Sequence, residues 1–257
     1  LIIAVRAARD AAAAAALGRA RALVVERRQP TDGGGRARPR TLITALRQMP
    51  DATVALISVP GAYAAFEARR ALGHGLHVFL FSNNVPLADE IALKQLARRR
   101  GLLCMGPDCG TAYLGGIGLG FANVVKAGRV GCVAASGTGL QAVAAHLAAL
   151  GEGISHGIGV GGRDLSAEVG GLMTTLALEL LAADPGTEAV VVISKPPAPD
   201  VLPALERAIA QVAKPVVVCC LGARPAAASP ARWVSTLADA AGAVAAVLDG
   251  RPWAPSP

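Results

Sequence analysis

The chain is poor in aromatic residues, in lysine and in metal-ligand clusters, and each shortage removes a class of function. Its 257 residues include two Trp, two Tyr and four Phe, so the interleaved rings on which single-stranded bases stack are missing. Of 25 basic residues only Lys94, Lys126, Lys195 and Lys214 are lysine, and the arginines are scattered. The formal charge of +7 therefore points to small anionic ligands and away from nucleic acid. Five cysteines (Cys104, Cys109, Cys132, Cys219 and Cys220) form no CxxC, and His74, His77, His146 and His156 form no HxxxH or HExxH. Neither a disulfide framework nor a metal site is implied, and the cysteines read as buried thiols of a reducing cytoplasm. Nowhere do about 18 apolar residues run uninterrupted, so no membrane span and no membrane partner are expected. The expectation is a soluble, cytoplasmic protein.

What the chain does contain is apolar: hydrophobic residues make up 53% and the mean hydropathy is +0.47. The excess sits in alanine and in runs such as Val190-Val-Val-Ile193 and Val216-Val-Val-Cys-Cys-Leu221, which read as strands buried on both faces. Strands are expected at 52–59, 76–81 and 102–105, with helices at 41–48, 62–72 and 87–100 between and around them. Pro86 opens the last of these helices, Arg98-Arg-Arg100 close it, and Gly101 suits its left-handed cap. After a glycine-rich connector at 114–128, strands at 130–134, 154–160, 189–194 and 215–221 alternate with helices at 138–150, 165–183 and 199–212. A last helix spans 235–248. Alternation of this kind predicts an α/β fold with two parallel-sheet domains. Ahead of them, a strand at 1–5 and a long helix at 8–28 cannot make a core. Residues 1–38 are therefore expected to be the tail of a truncated N-terminal domain plus a linker. The remaining divisions are 39–127, 128–250 and an unstructured tail at 251–257.

Two strand-to-helix turns carry the chemistry. Gly131-Cys-Val-Ala-Ala-Ser-Gly-Thr-Gly139 and Gly157-Ile-Gly-Val-Gly-Gly-Arg-Asp164 each put backbone N–H groups and the positive end of a helix at the carboxyl edge of a parallel sheet. That is the environment a phosphate needs. Either turn alone could be tight geometry and nothing more; two in consecutive βα units favour binding. The same edge should also expose Val59-Pro60-Gly61, Ser82-Asn-Asn84 and Gly106-Pro-Asp-Cys-Gly110.

In order along the chain, Gly106-Pro-Asp-Cys-Gly110, Gly128-Arg-Val-Gly-Cys-Val-Ala-Ala-Ser-Gly-Thr138, Gly157-Ile-Gly-Val-Gly-Gly-Arg-Asp164 and Thr236-Leu-Ala-Asp239 resemble the GPNxPG, GRxGxVSRSGT, GIGGD and SLAD motifs of succinyl-CoA synthetase α subunits. Pro39-Arg-Thr-Leu42, Ala55-Leu-Ile-Ser-Val-Pro-Gly61, Gly120-Phe-Ala-Asn123, Ile154-Ser-His156, Gly161-Gly-Arg-Asp-Leu-Ser166 and Ile193-Ser-Lys-Pro-Pro197 look like the FdrA branch of that acyl-CoA synthetase superfamily. The resemblance implies a Rossmann-like CoA-binding domain at 39–127 and a flavodoxin-like ligase domain at 128–250. It implies phosphate binding by Ser136, Gly137, Thr138 and Gly139, with Gly161 and Gly162 added by the second turn. Contacts to CoA or substrate would fall to Pro60, Gly61, Ser82, Asn83, Asn84, Gly106, Pro107, Asp108 and Asn123.

Three departures from the family pattern bear on mechanism. No GxTGxxG turn precedes Arg40, so CoA is expected to bind weakly or not at all. No histidine lies between Leu221 and Trp233, where a GHAG phosphohistidine loop belongs, and Ser194-Lys-Pro-Pro197 stands in place of the GEIGG turn. A phosphoenzyme relay would lack its nucleophile. Arg163 is the leading catalytic candidate because its fork can hold two oxygens of an anion. His156 is catalytic or structural, Lys195 faces phosphate or anchors its turn, Asp164 caps a helix or does chemistry, and Cys109 packs or reacts. The FdrA resemblance implies a phosphate-dependent carbamoyltransferase: oxalurate plus phosphate giving oxamate plus carbamoyl phosphate, with partner subunits or as a homo-oligomer. An NDP-forming acyl-CoA ligase α-type subunit and a non-catalytic anion- or CoA-sensing subunit are the alternatives.

Overall fold

The computed structural model describes residues 4–25, 39–223 and 229–255, and the chain divides into two units, 1–45 and 46–257. The first contains α1 (Asp10–Val25), an alanine-rich helix with Asp10 in its first turn, where a carboxylate complements the helix dipole. Of the strand expected at 1–5, Ala4 and Val5 are not in a strand and the rest lies outside the described residues, as do positions 26–28 of the expected helix. The helix α2 (Leu42–Gln48) follows, preceded by Thr41, whose hydroxyl accepts the Thr44 N–H at 3.2 Å.

The second unit opens with β1 (Val54–Ile57), α3 (Gly61–Gly73), β2 (His77–Leu80), α4 (Leu87–Arg99) and β3 (Cys104–Met105). These strands form a parallel three-stranded sheet in the order β1-β2-β3. There follow β4 (Thr111–Leu114), β5 (Ile117–Gly120), β6 (Ala127–Ala134), α5 (Gly137–Ala149), β7 (Ile154–Gly159), α6 (Leu172–Ala183) and β8 (Ala189–Ser194). Then come α7 (Leu202–Ala210), β9 (Val216–Cys220), β10 (Arg232–Trp233) and α8 (Leu237–Leu248). The second sheet has the order β10-β9-β8-β6-β7-β4-β5, parallel except for β4, which pairs antiparallel with β5 and β7. The α/β class with its parallel sheets is as expected.

Three local differences have physical causes. The stretch anticipated as a connector forms the hairpin β4–β5, turned by Gly115 and Gly116 at φ of 57° and 76°, and this hairpin extends the second sheet although it lies within 39–127. The expected helix at 165–183 begins at Leu172 because Gly170 and Gly171 sit at φ of 72° and 75°, a left-handed geometry no helix continues through. The tail is not loose at Trp253, which packs against the second sheet's core with the Arg232 guanidinium 5.7 Å from its ring centre.

That core unites Val130, Cys132 and Ala134 of β6 with Val191 and Ile193 of β8 and Val217 of β9, under Leu140, Val143 and Leu147 of α5. The Val/Ile runs are fully buried, as a parallel sheet covered on both faces requires. Neighbouring β6 and β7 run in parallel register, with Ala134 opposite Gly159, so their following turns leave the sheet at one edge. Among the described residues no helix is long and apolar enough to cross a membrane.

Candidate functional site

A cleft of about 920 Å³ opens at that carboxyl edge, between the ends of the two sheets. One wall comes from the first sheet: Ser58, Val59 and Pro60 after β1, and Phe81, Ser82 and Asn83 after β2. Phe121, from the end of the hairpin, stacks edge-on against Phe81 with ring centres 5.3 Å apart. The opposite wall comes from the second sheet: Ala135–Thr138 and Gln141 at the start of α5, Gly162 after β7, and Lys195 after β8. Asp108 lies on the lining as well. Thus both glycine turns reach one cleft at one sheet edge.

The start of α5 follows from its sequence. Ser136 is the N-cap, with extended backbone and its Oγ accepting the Gly139 N–H at 3.1 Å. The cap consumes the Gly139 donor, and the Leu140 N–H bonds the Ser136 carbonyl at 3.0 Å. Gly137 and Thr138 N–H, at the first two helical positions, have no partner among the described residues. They are the donors this helix end offers to an anion. Gly139 itself is buried and off the lining.

The second turn is shaped by packing. Gly161 has φ of 88°, and a Cβ there would lie 2.9 Å from Gly106 C and 3.0 Å from Pro107 O, so glycine is needed for that loop to approach. Gly162 is the exposed member. Lys195 is also exposed, and its ammonium makes no hydrogen bond or ion pair among the described residues.

Arg163, the leading sequence candidate, is engaged with the protein through its Nη2 and Nε. Its Nη2 donates to the Val85 carbonyl at 2.8 Å and its Nε lies 2.7 Å from Glu90 Oε2, an ion pair whose angle is too poor for a hydrogen bond. It is absent from the cleft lining. Beneath it, sequence reasoning missed a buried network. Lys94 Nζ donates to Glu90 Oε1 (2.7 Å), the Val160 carbonyl (2.8 Å) and Asp164 Oδ1 (2.9 Å), and these three side chains are at most 1% exposed. Burial pulls the Lys94 pKa down, but the Asp164 and Glu90 carboxylates outweigh it, and the net direction is upward. Asp164 also accepts from Met173 N–H, Thr174 N–H and Thr174 Oγ1, which ties the turn to the start of α6. Asp164 is a cap and an anchor.

His156 is also outside the cleft. It sits in the amino-terminal half of β7 beside a second cavity of about 400 Å³. Its Nδ1 accepts the Gly115 N–H at 3.2 Å and its Nε2 lies 3.7 Å from Asp184 Oδ2, the arrangement of a structural histidine. Gly61, Asn84, Gly106, Pro107 and Asn123 are off the lining too. A Cβ on Gly61 would strike the Asn83 carbonyl, so this glycine serves close approach. Asn84 Nδ2 donates to Asn83 Oδ1 at 3.1 Å, and the Asn123 carbonyl accepts Tyr113 OH at 3.2 Å. Burial pushes the Cys109 thiol up to about 12, where it is not a nucleophile at neutral pH. Among the described residues no three His, Cys, Asp or Glu form a group that could hold a metal.

Among the described residues the wall expected to meet CoA contains no cationic side chain, and the Ser82 hydroxyl donates to the Val59 carbonyl at 2.5 Å. Its residues do not fit a diphosphate.

No protein-family model matches the chain. It is 52% identical to the uncharacterized protein YahF of Escherichia coli (strain K12) over 190 residues, 74% of this chain and 37% of that protein. It is 31% identical to the ADP-forming succinate–CoA ligase subunit alpha of Methanothermobacter thermautotrophicus over 148 residues, 56% of this chain and 49% of the subunit. The fold is similar to that of the dinucleotide-forming acetyl-coenzyme A synthetase 1 of Ca. Korarchaeum cryptofilum, with a TM-score of 0.58 at 19% identity, covering 74% of this chain and 47% of that one. The chain spans half or less of the length of each. Its characterised sequence relatives are succinyl-CoA synthetase α-like ligase subunits.

Proposed function

We propose that this cleft binds inorganic phosphate as a substrate and supports phosphate-dependent acyl transfer of the carbamoyl type, in an FdrA-like subunit working with partner subunits or in a homo-oligomer. The observation that carries the reading is the meeting of unpaired Gly137 and Thr138 N–H groups with Gly162 and Lys195 on one lining that includes no histidine. Fixed N–H donors and a cation can orient phosphate and neutralise it without a covalent enzyme intermediate. A phosphate oxygen would attack the carbamoyl carbon of a ureido acid such as oxalurate, forming the C–O bond. The C–N bond to the oxamate nitrogen breaks, and that nitrogen takes the proton the phosphate gives up, leaving oxamate and carbamoyl phosphate.

A second reading, the NDP-forming CoA ligase subunit, is favoured by the names of the relatives. The two diverge in one experiment on the full-length protein with its partners. Carbamoyl phosphate should form from oxalurate and phosphate, and calorimetry should show phosphate binding that Lys195→Ala weakens about tenfold or more. Acid-labile labelling of the chain by a nucleoside triphosphate would overturn this reading in favour of the ligase.

A further inference from the structure

Among the described residues the cleft has two charged side chains on its lining, Lys195 and Asp108, and the second is out of place in a site for anions alone. Asp108 is locked by its backbone: φ is 58°, and its N–H donates to the Ser82 carbonyl at 3.0 Å. The next N–H, of Cys109, donates to the Leu80 carbonyl at 3.1 Å. On the other side the 106–107 segment abuts Gly161. A loop clamped from both sheets thus presents an exposed carboxylate that makes no hydrogen bond or ion pair among the described residues. Asp108 also borders a small void beneath the cleft, of about 10 Å³, shared with Gly137 and Gly161. It therefore stands close to both anion-binding turns.

An ionised carboxylate accepts hydrogen bonds and donates none. On a lining shared with N–H donors and a lysine it repels a second carboxylate and rewards an N–H. The preferred occupant has an anionic end for Gly137, Thr138 and Lys195, and an uncharged NH₂ or NH for Asp108. We propose that Asp108 is a specificity-determining residue that accepts N–H bonds from a carboxamide or ureido group, selecting nitrogen-bearing acids over plain dicarboxylic acids. The assignment rests on the cleft being the substrate site, as proposed above.

Oxamate and oxalate test it, since they differ by an amide NH₂ in place of a carboxylate oxygen. Calorimetry on the full-length protein should show wild type preferring oxamate, with Asp108→Gly reducing that preference about tenfold to hundredfold and Asp108→Asn doing so less. Glycine and asparagine both tolerate the positive φ, so the backbone is kept. Phosphate affinity, measured in the same samples, should be retained or improved. Wild type without a preference for oxamate, or variants that keep it, would overturn the assignment of Asp108. A parallel loss of phosphate and oxamate binding in both variants would overturn it too, by making Asp108 a support of the whole cleft. If wild type binds no phosphate, it is the cleft reading that falls, whatever the oxamate ratio.

Discussion

Substituting Lys94 by methionine should cost the fold more than any exposed charge change, and the structure sets the scale. The ammonium supplies all three of its protons to Glu90, Asp164 and the Val160 carbonyl, at 2.7 to 2.9 Å. Methionine fills similar volume but strands two carboxylates that are at most 1% exposed. Breaking a buried pair from one side costs about 3–5 kcal/mol. Here Asp164 keeps three donors from Met173 and Thr174, and Glu90 keeps Arg163 nearby, so the lower end, about 3 kcal/mol, applies. For a domain of this size that is a fall in Tm of about 6–12 °C, read by circular dichroism. Adding Glu90→Gln to Lys94→Met should restore part of it, because one stranded charge is removed. The Lys94 pKa is raised above 10.5, so the stability it contributes is complete below that pH and is lost as pH rises through the folded value. The gap between wild type and Lys94→Met should accordingly narrow only in strong alkali. A variant melting within about 2 °C of wild type at neutral pH would refute the reasoning.

Arg163→Ala should lower the melting temperature modestly, by the equivalent of about 1 kcal/mol because the side chain is half exposed, while leaving the calorimetric phosphate constant unchanged; weaker phosphate binding at an unchanged Tm would return Arg163 to the ligand. His77 accepts the Leu103 N–H at Nδ1 (2.9 Å), and burial lowers its pKa below 6.5, so the neutral form is the one the fold holds. Its contribution is present above pH 6.5 and lost as pH falls through the lower folded value. Melting temperature should therefore drop in that acid range, and a His77→Asn variant should show a shallower drop; identical pH profiles would contradict it.

Much of the fold was legible because its signals are local. Val190–Ile193 and Val216–Cys220 are fully buried strands as their apolar runs imply, with Leu221 beyond the strand and exposed, and Pro86 with Gly101 bracketed α4 to within a residue or two. The hairpin β4–β5 was harder to see, since Gly118 and Gly120 fall inside a strand and dilute its pattern. The Gly115-Gly116 pair between Thr111–Leu114 and Ile117–Gly120 was nevertheless a usable turn signal. Gly170-Gly171 should likewise have ended the expectation of one helix from 165, because two adjacent left-handed residues outweigh any apolar period.

The site divides along the same line. Backbone donors at a helix start depend on residues adjacent in sequence, so Ser136–Gly139 announced the cleft wall, and even the loss of Gly139 to the cap follows from Ser136 being three residues upstream. Side-chain roles depend on partners far away in sequence. Glu90 and Lys94, four apart on α4, have the spacing of a surface ion pair, and only the packing of α4 against the turn after β7 drives both inside. Arg163 lies off the cleft lining for the converse reason. Its glycine neighbours made it look poised for a ligand, whereas its fork is occupied by Glu90 and the Val85 carbonyl, 73 and 78 residues earlier. A guanidinium takes the nearest desolvated carboxylate, and a buried Glu90 is a stronger claim on it than an anion in open water. Of the described residues on the cleft lining, the charges left unclaimed by the protein, Lys195 and Asp108, are by that argument the ones available to a substrate.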